Sequence, residues 1–364
     1  MNKITYKELF SAMLVFELGS AVLFVLGASA KQDAWISILL ATVAALPLVY
    51  LYVTLYKMHD GNLPQILEAA FGKAFGKVLS AIYAFYFLYI AARVTRDFAE
   101  LNIGTIYKQA PVSAFSIAIL VVVIYYLMFD ISVMIKSSHA LLPTFIIMAF
   151  FQFIGVFSVN CVTIKKIFPI LGNGFMPVVK AAFPNILTFP YGELITFMMV
   201  FPEFKFNTNK LTKYCFTLVI VTGLWLALNT VEIFSVLGVA EATRANFPFY
   251  ELALIMKFGT FRNLDPFYAI VTVIGGVIKI TVFTYAAIKT IQTIFNLKEY
   301  KFLLIPVGTI VYALSILIAD SYPLHILIGL KLTTLYIHVP LQIIIPLIAL
   351  ILSFIRNPKT RKNK

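Results

Sequence analysis

The chain has 364 residues, 61% of them hydrophobic and only 12% charged, with a mean hydropathy of +0.93, which excludes an ordinary soluble domain. A net charge of +13 raises nucleic acid as a partner, but the basic residues are scattered between apolar stretches, so that class is excluded too. Runs such as AFSIAILVVVIYYLMF are apolar all round, which implies membrane-crossing helices and not the alternating strands of a barrel.

Ten spans are predicted: 9–30, 35–56, 78–105, 113–130, 139–159, 183–204, 211–235, 266–295, 303–320 and 332–355. Each is near the length of about 20 residues that a hydrocarbon core of about 30 Å requires. The first is too long for the apolar region of a signal peptide and leads straight into the second, so it is read as a span. The chain is a single transmembrane domain with no room for a soluble one. Segments 160–182 and 236–265 are apolar, proline-bearing connections suited to capping one face. Cys161 and Cys215 fall near opposite faces and are not expected to pair.

Seventeen of the 29 Lys and Arg residues lie on the side of the termini and nine opposite, with Arg93, Arg96 and Lys279 inside spans. The positive-inside rule makes both termini cytoplasmic, and the basic tail 356–364 meets anionic lipid.

Polar residues inside the spans mark the candidate site, because charge at that depth is costly. Span 1 carries Glu17-Leu18-Gly19-Ser20 halfway along, and span 6 carries Phe189-Pro190-Tyr191-Gly192-Glu193 at its middle. Each of the helices heading the two halves thus has a central glycine beside a glutamate. Pro190 removes a backbone donor and Gly192 opens dihedrals closed to other residues, so the chain is expected to unwind there. Such backbone is tolerated only where it lines a polar cavity or meets a ligand; the alternative is a proline kink with Glu193 hydrogen-bonded to a neighbouring helix. A half-helix N-terminus suits a carboxylate and unwound carbonyls suit an ammonium, so a pair of breaks fits a small amino acid.

Span 3 carries Arg93, Arg96, Asp97 and Glu100 on one face, with Arg93–Asp97 and Arg96–Glu100 as expected i,i+4 ion pairs, in the less favourable order. A self-neutralised structural stripe and a gating or ion-path role both fit. Lys279 in span 8 pairs with a carboxylate such as Glu17, Glu193 or Glu232, stands where a sodium-coupled relative holds its cation, or is neutral. Glu232 reads as interfacial. The four histidines, His59, His139, His325 and His338, show no ligand spacing, so no metal or cofactor is expected; no catalytic motif is present, and an enzyme is not expected.

The stretches ELGSAVL in span 1 and FPYGE followed by FMMVFPEF in span 6 resemble the spore germination B-subunit family, the permease-like part of GerA-type germinant receptors in the amino acid/polyamine/organocation superfamily. The resemblance implies an all-α, leucine-transporter-like fold. It has five plus five inverted repeats, about 9–159 and 183–355, with helices 1 and 6 discontinuous. It places a carboxylate-binding turn on Gly19, Ser20 and Ala21, where Ala21 departs from the usual glycine, and ammonium-binding carbonyls and selectivity side chains on Phe189, Tyr191, Gly192 and Glu193. It further implies a nutrient ligand, commonly an amino acid, A-type and lipoprotein C-type partner subunits, and the inner membrane of the spore. An amino acid transporter of the same superfamily is the alternative.

Overall fold

The structure, a computed structural model, describes residues 4–105, 107, 109–159, 162–204, 206–256 and 264–356, and every regular element among them is helical. In chain order the helices are α1 (Tyr6–Ala21), α2 (Ala34–His59), α3 (Leu63–Phe71), α4 (Lys73–Thr105), α5 (Val112–Met128), α6 (Ile131–Phe157), α7 (Met176–Ala181) and α8 (Phe201–Phe204). There follow α9 (Thr208–Leu237), α10 (Val239–Arg244), α11 (Pro248–Ile255), α12 (Asp265–Phe295), α13 (Leu304–Leu317), α14 (Tyr322–Leu327) and α15 (Ile345–Arg356). Tight 3₁₀ turns occupy Ala28–Asp33 and Tyr191–Met199, and a wide π-helix runs from Ile328 to Ile344. Cys161 and the tail beyond Arg356 lie outside the described residues; Cys215 is buried and free.

Six stretches among the described residues are long and apolar enough to cross a membrane: Ala28–His59, Lys73–Thr105, Ile131–Phe157, Thr208–Leu237, Asp265–Phe295 and Tyr322–Arg356. Val112–Met128 and Lys301–Leu317 are shorter apolar helices. The two remaining predicted spans, 9–30 and 183–204, are the ones in which the helix breaks.

Local chemistry sets several helix starts. Thr5 and Glu8 form a reciprocal capping box at α1, Asn62 and Gln65 do the same at α3, and the Asn207 side chain accepts from the backbone N–H groups of Asn209 and Lys210 at α9. No such signal ends α1. Gly19 and Ser20 stay inside the helix, and the chain unwinds only from Val22, tightening through Leu23 N–H to the Ser20 carbonyl and Phe24 N–H to the Ala21 carbonyl. The Asn229 side chain of α9 donates to the freed Val22 carbonyl at 3.2 Å, so a tertiary contact satisfies the break. Gly27 then takes a left-handed turn, φ 72°, into the 3₁₀ segment.

In span 6 the interruption falls where predicted. Helical structure stops at Thr188, Phe189 and Pro190 form a turn, and 3₁₀ geometry continues from Tyr191. The last predicted span, 332–355, departs from an α-helix over its first half. Pro340 lacks a donor there, and the Leu341 and Gln342 carbonyls accept from the hydroxyls of Tyr83 and Tyr52.

The bundle is organised around α12, which packs against α4, α1, α5 and α6, while α2 lies along α9. One end carries Tyr6 stacked on Tyr214 and tilted against Phe206, the Tyr56 hydroxyl on the Phe201 carbonyl, and His59 2.8 Å from Ser353. At the opposite end the two connecting segments meet the 3₁₀ turn of residues 28–33. Leu171 N–H donates to Asp33 at 2.8 Å, and Thr163 N–H donates to the Ser235 carbonyl at 3.0 Å. On α5, α6 and α13, side chains such as Tyr125, Phe153 and Leu317 face outward, as helices solvated by lipid require.

Candidate ligand site

A cavity of about 460 Å³ opens toward the end opposite Tyr6, within the roughly 300–1,000 Å³ usual for small-molecule sites. Its walls come from the unwound chain after α1, from α4, from the span 6 break and from the π-helix, and its mouth lies at α10, α11 and α14. Both interrupted segments therefore border one chamber. Ser20, Phe189 and Glu193 line it. Gly19, Ala21, Tyr191 and Gly192 do not, although Gly19, Ala21 and Gly192 are each next to a residue that does.

The non-lining glycines serve packing. A Cβ on Gly19 would come within 2.6 Å of the Gly275 carbonyl oxygen, so α1 and α12 cross backbone to backbone. A Cβ on Gly192 would meet the carboxamide of Gln342 on the π-helix. Tyr191 donates to, or accepts from, Thr42 at 2.8 Å, and Tyr52 donates to the Gly192 carbonyl at 3.2 Å. These bonds satisfy the break from the α2 side, where the sequence points to a ligand.

At the cavity floor Lys279 lies 2.5 Å from Glu193, with both side chains essentially inaccessible. Of the three carboxylates available from sequence, Glu193 is the partner. The rings of Phe189 and Phe16 sit 4.8 and 4.9 Å from the ammonium, adding cation–π attraction in a dry setting. Glu17 is fully buried nearby, with no hydrogen-bond partner for either oxygen, and feels the charges of both Lys279 and Glu193. On the side toward Tyr6, Phe16 packs on Phe197 and Phe283 at 5.1 and 5.2 Å, an aromatic floor beneath the ion pair.

The charged stripe of α4 splits into two. Arg96 pairs with Glu100 at 2.8 Å as expected. The Arg93–Asp97 pair does not form among the described residues. Arg93 instead donates to the His325 carbonyl at 2.7 Å, and Asp97 lies 3.0 Å from the His325 ring and accepts from Tyr322 at 3.4 Å. An i,i+4 pair in the less favourable order loses to partners that α14 brings to the cavity mouth. Arg93 and Asp97 line the cavity, whereas Arg96 and Glu100 do not.

Three residues have contacts or a place that their sequence reading did not give. Glu232, near the end of α9, is buried 2.5 Å from Gln152, which also donates to Asn229 at 2.8 Å, so it belongs to the cluster that holds the Val22 carbonyl. His325 and His338 are not idle: the first bridges Asp97 and Arg93, and the second lines the cavity. Neither carried a motif: His325 lies between the predicted spans, and His338 stands alone in an apolar run. No cluster of metal-ligating side chains occurs among the described residues.

The family model described as "Spore germination protein" matches residues 3–323. The chain is 30% identical over 364 residues to spore germination protein KB of Bacillus subtilis (strain 168), across all of this chain and 97% of that protein. It is 23% identical over 242 residues to spore germination protein YndE of the same organism, across 65% of this chain and 64% of that protein.

Proposed function

The chain belongs to the spore germination protein family, and on that premise we propose that it is the permease-like, nutrient-binding subunit of a germinant receptor, with an amino acid as ligand. The observation that carries this reading is the single chamber bordered by both interrupted segments, open at one end and floored by a buried ion pair and an aromatic cluster. A protein that senses a nutrient needs a concave site of this size and a bordering segment whose arrangement differs between the free and bound states.

The same reading takes the eight apolar helices and the two broken segments as ten crossings in two inverted sets of five, with both termini cytoplasmic and the chain in the inner membrane of the spore. A-type and lipoprotein C-type subunits are its partners, and the basic tail contacts anionic lipid. Ligand occupancy closes the chamber, and the movement of the span 6 break against the π-helix passes to those subunits. Tyr52, which bonds both the Gly192 and Gln342 carbonyls, links the two moving parts.

Deleting the gene is expected to remove the spore's response to at least one amino acid, and the intact gene to restore it. Restoring it as Gly192→Val is expected to leave protein in the membrane but no response, because the added Cβ displaces Gln342. Full germination in the deletion strain on every nutrient would refute the receptor reading; a normal response from Gly192→Val would refute the site.

A second reading, a proton- or cation-coupled amino acid transporter, has one observation in its favour: the unpartnered Glu17 carboxyl beside Lys279 and Glu193. A buried carboxylate without a partner is costly, and binding a proton or cation relieves that cost. Uptake of labelled amino acid into proteoliposomes, driven by an imposed proton or cation gradient, would favour it.

A further inference from the structure

We propose that His338, together with Ser20 on another wall of the cavity, recognises a hydroxyl or carboxamide group, so that the ligand is an electroneutral polar molecule and not an apolar amino acid. This rests on the cavity being the nutrient site.

The first step is the state of the charges. Among the described residues, the ionic side chains that line the cavity already have protein partners, while the unpartnered Glu17 does not line it. Glu193 has Lys279, Asp97 has His325 and Tyr322, and Arg93 has the His325 carbonyl and lies 5.8 Å above the Tyr89 ring. Positive Arg93 and Lys279 balance negative Asp97 and Glu193. A ligand with net charge would bring an uncompensated charge into a desolvated chamber, whereas a zwitterion or an uncharged molecule would not.

The second step is which polar atoms are left over. The Thr333 hydroxyl is bonded to Tyr89 at 2.7 Å, and Thr334 donates to the Gly329 carbonyl at 3.1 Å. His338 and Ser20 differ: they are only 5% and 1% exposed, and neither ring nitrogen of His338 nor the Ser20 hydroxyl has a partner. Both residues line the cavity, from the π-helix and from the last turn of α1. Tyr86 packs on the imidazole at 86° and 5.9 Å, and the Tyr86 hydroxyl is itself held by Gln342 at 2.7 Å. The ring is therefore packed against a held tyrosine, and both of its buried nitrogens are without a protein partner.

An imidazole with one N–H offers one donor and one acceptor, and a serine hydroxyl offers both. Hydroxyl and carboxamide groups match that set because each also donates and accepts. A methyl or isobutyl group would leave the buried polar atoms unsatisfied, a loss of roughly tenfold to hundredfold in affinity for each. The shared chemistry fits a polar neutral amino acid and an uncharged polyol alike.

The test uses the full-length protein in lipid nanodiscs and the shift of its melting temperature with ligand. L-Serine, L-asparagine and D-glucose form the polar arm, and L-alanine, L-valine and L-leucine the apolar arm. At least one polar probe is expected to stabilise the protein. For that probe His338→Leu raises the half-saturating concentration roughly tenfold to hundredfold, and His338→Gln recovers most of the loss. Ser20→Ala, which removes one oxygen and keeps the wall's shape, is expected to weaken the same probe even if His338→Leu fails to accumulate. The two amino acids and the sugar separate the two sources. Stabilisation by apolar probes alone, or polar binding indifferent to both His338→Leu and Ser20→Ala, overturns the inference and spares the nutrient site. If no probe in either arm stabilises the wild-type protein, the nutrient-site reading falls as well.

Discussion

Lys279→Met is expected to lower the stability of the folded protein by about 3–5 kcal/mol, the usual consequence of removing one partner from a buried ion pair. The ammonium lies 2.5 Å from Glu193 in a wholly inaccessible setting, and its loss strands that carboxylate beside Glu17, which has no hydrogen-bond partner of its own. Two carboxylates would then share a site with no cation, in an environment that neither water nor lipid can compensate. Adding Glu193→Gln should restore much of the loss, because a neutral amide replaces the stranded charge at nearly the same volume. Adding Glu17→Gln instead should restore less, since Glu17 feels Lys279 without bonding to it. Melting temperature and yield of monodisperse protein in detergent read the outcome through a double-mutant cycle. Wild-type stability of Lys279→Met, or no recovery with Glu193→Gln, would show that the pair does not support the fold.

Gly19→Val should be nearly as damaging, for a different reason. The added Cβ would be 2.6 Å from the Gly275 carbonyl oxygen, and a Cβ on Gly275 would be 2.7 Å from the Gly19 Cα. Main chain faces main chain, so no side chain can rotate aside, and α1 and α12 must separate. Overpacking of this kind costs about 1–3 kcal/mol and sometimes more. Separation at this point also moves Ser20 and the Lys279 end of the ion pair, which sit one residue and four residues from the contact. Loss of both stability and nutrient response is expected. A variant of normal stability with only its ligand selectivity changed would return Gly19 to a direct role in binding.

Much of this was legible in the chain because bilayer solvation leaves a coarse imprint. Unpaired backbone and isolated charge are so costly there that the apolar segments, the Phe189-Pro190 break and the buried Glu193 and Lys279 stand out at once. The end of α1 was not legible, since nothing local stops the helix at Ala21; Asn229, more than two hundred residues away, receives the Val22 carbonyl. The π-helix was hidden because a run apolar on all sides has no period that separates i+4 from i+5 bonding, and the tyrosines that accommodate it lie on α2 and α4. Spacing suggested that Arg93 would bond Asp97, but the partners both residues take are on α14, and proximity across the bundle cannot be read from helical register. His338 carries no motif; only its place in the cavity wall distinguishes it.

The most direct test of the nutrient chamber is ligand protection of a cysteine placed at Val25, a half-buried cavity-lining position after α1, in full-length protein whose native Cys161 and Cys215 are replaced by serine. A membrane-impermeant thiol reagent added from the side opposite the termini should reach Val25→Cys through the mouth at α10 and α14. Saturating the nutrient that triggers germination should slow that labelling severalfold, while a cysteine on the same exposed end but not lining the cavity, at Lys31, reacts at an unchanged rate. Equal labelling at Val25→Cys with and without the nutrient would place the ligand elsewhere and contradict the assignment of this cavity.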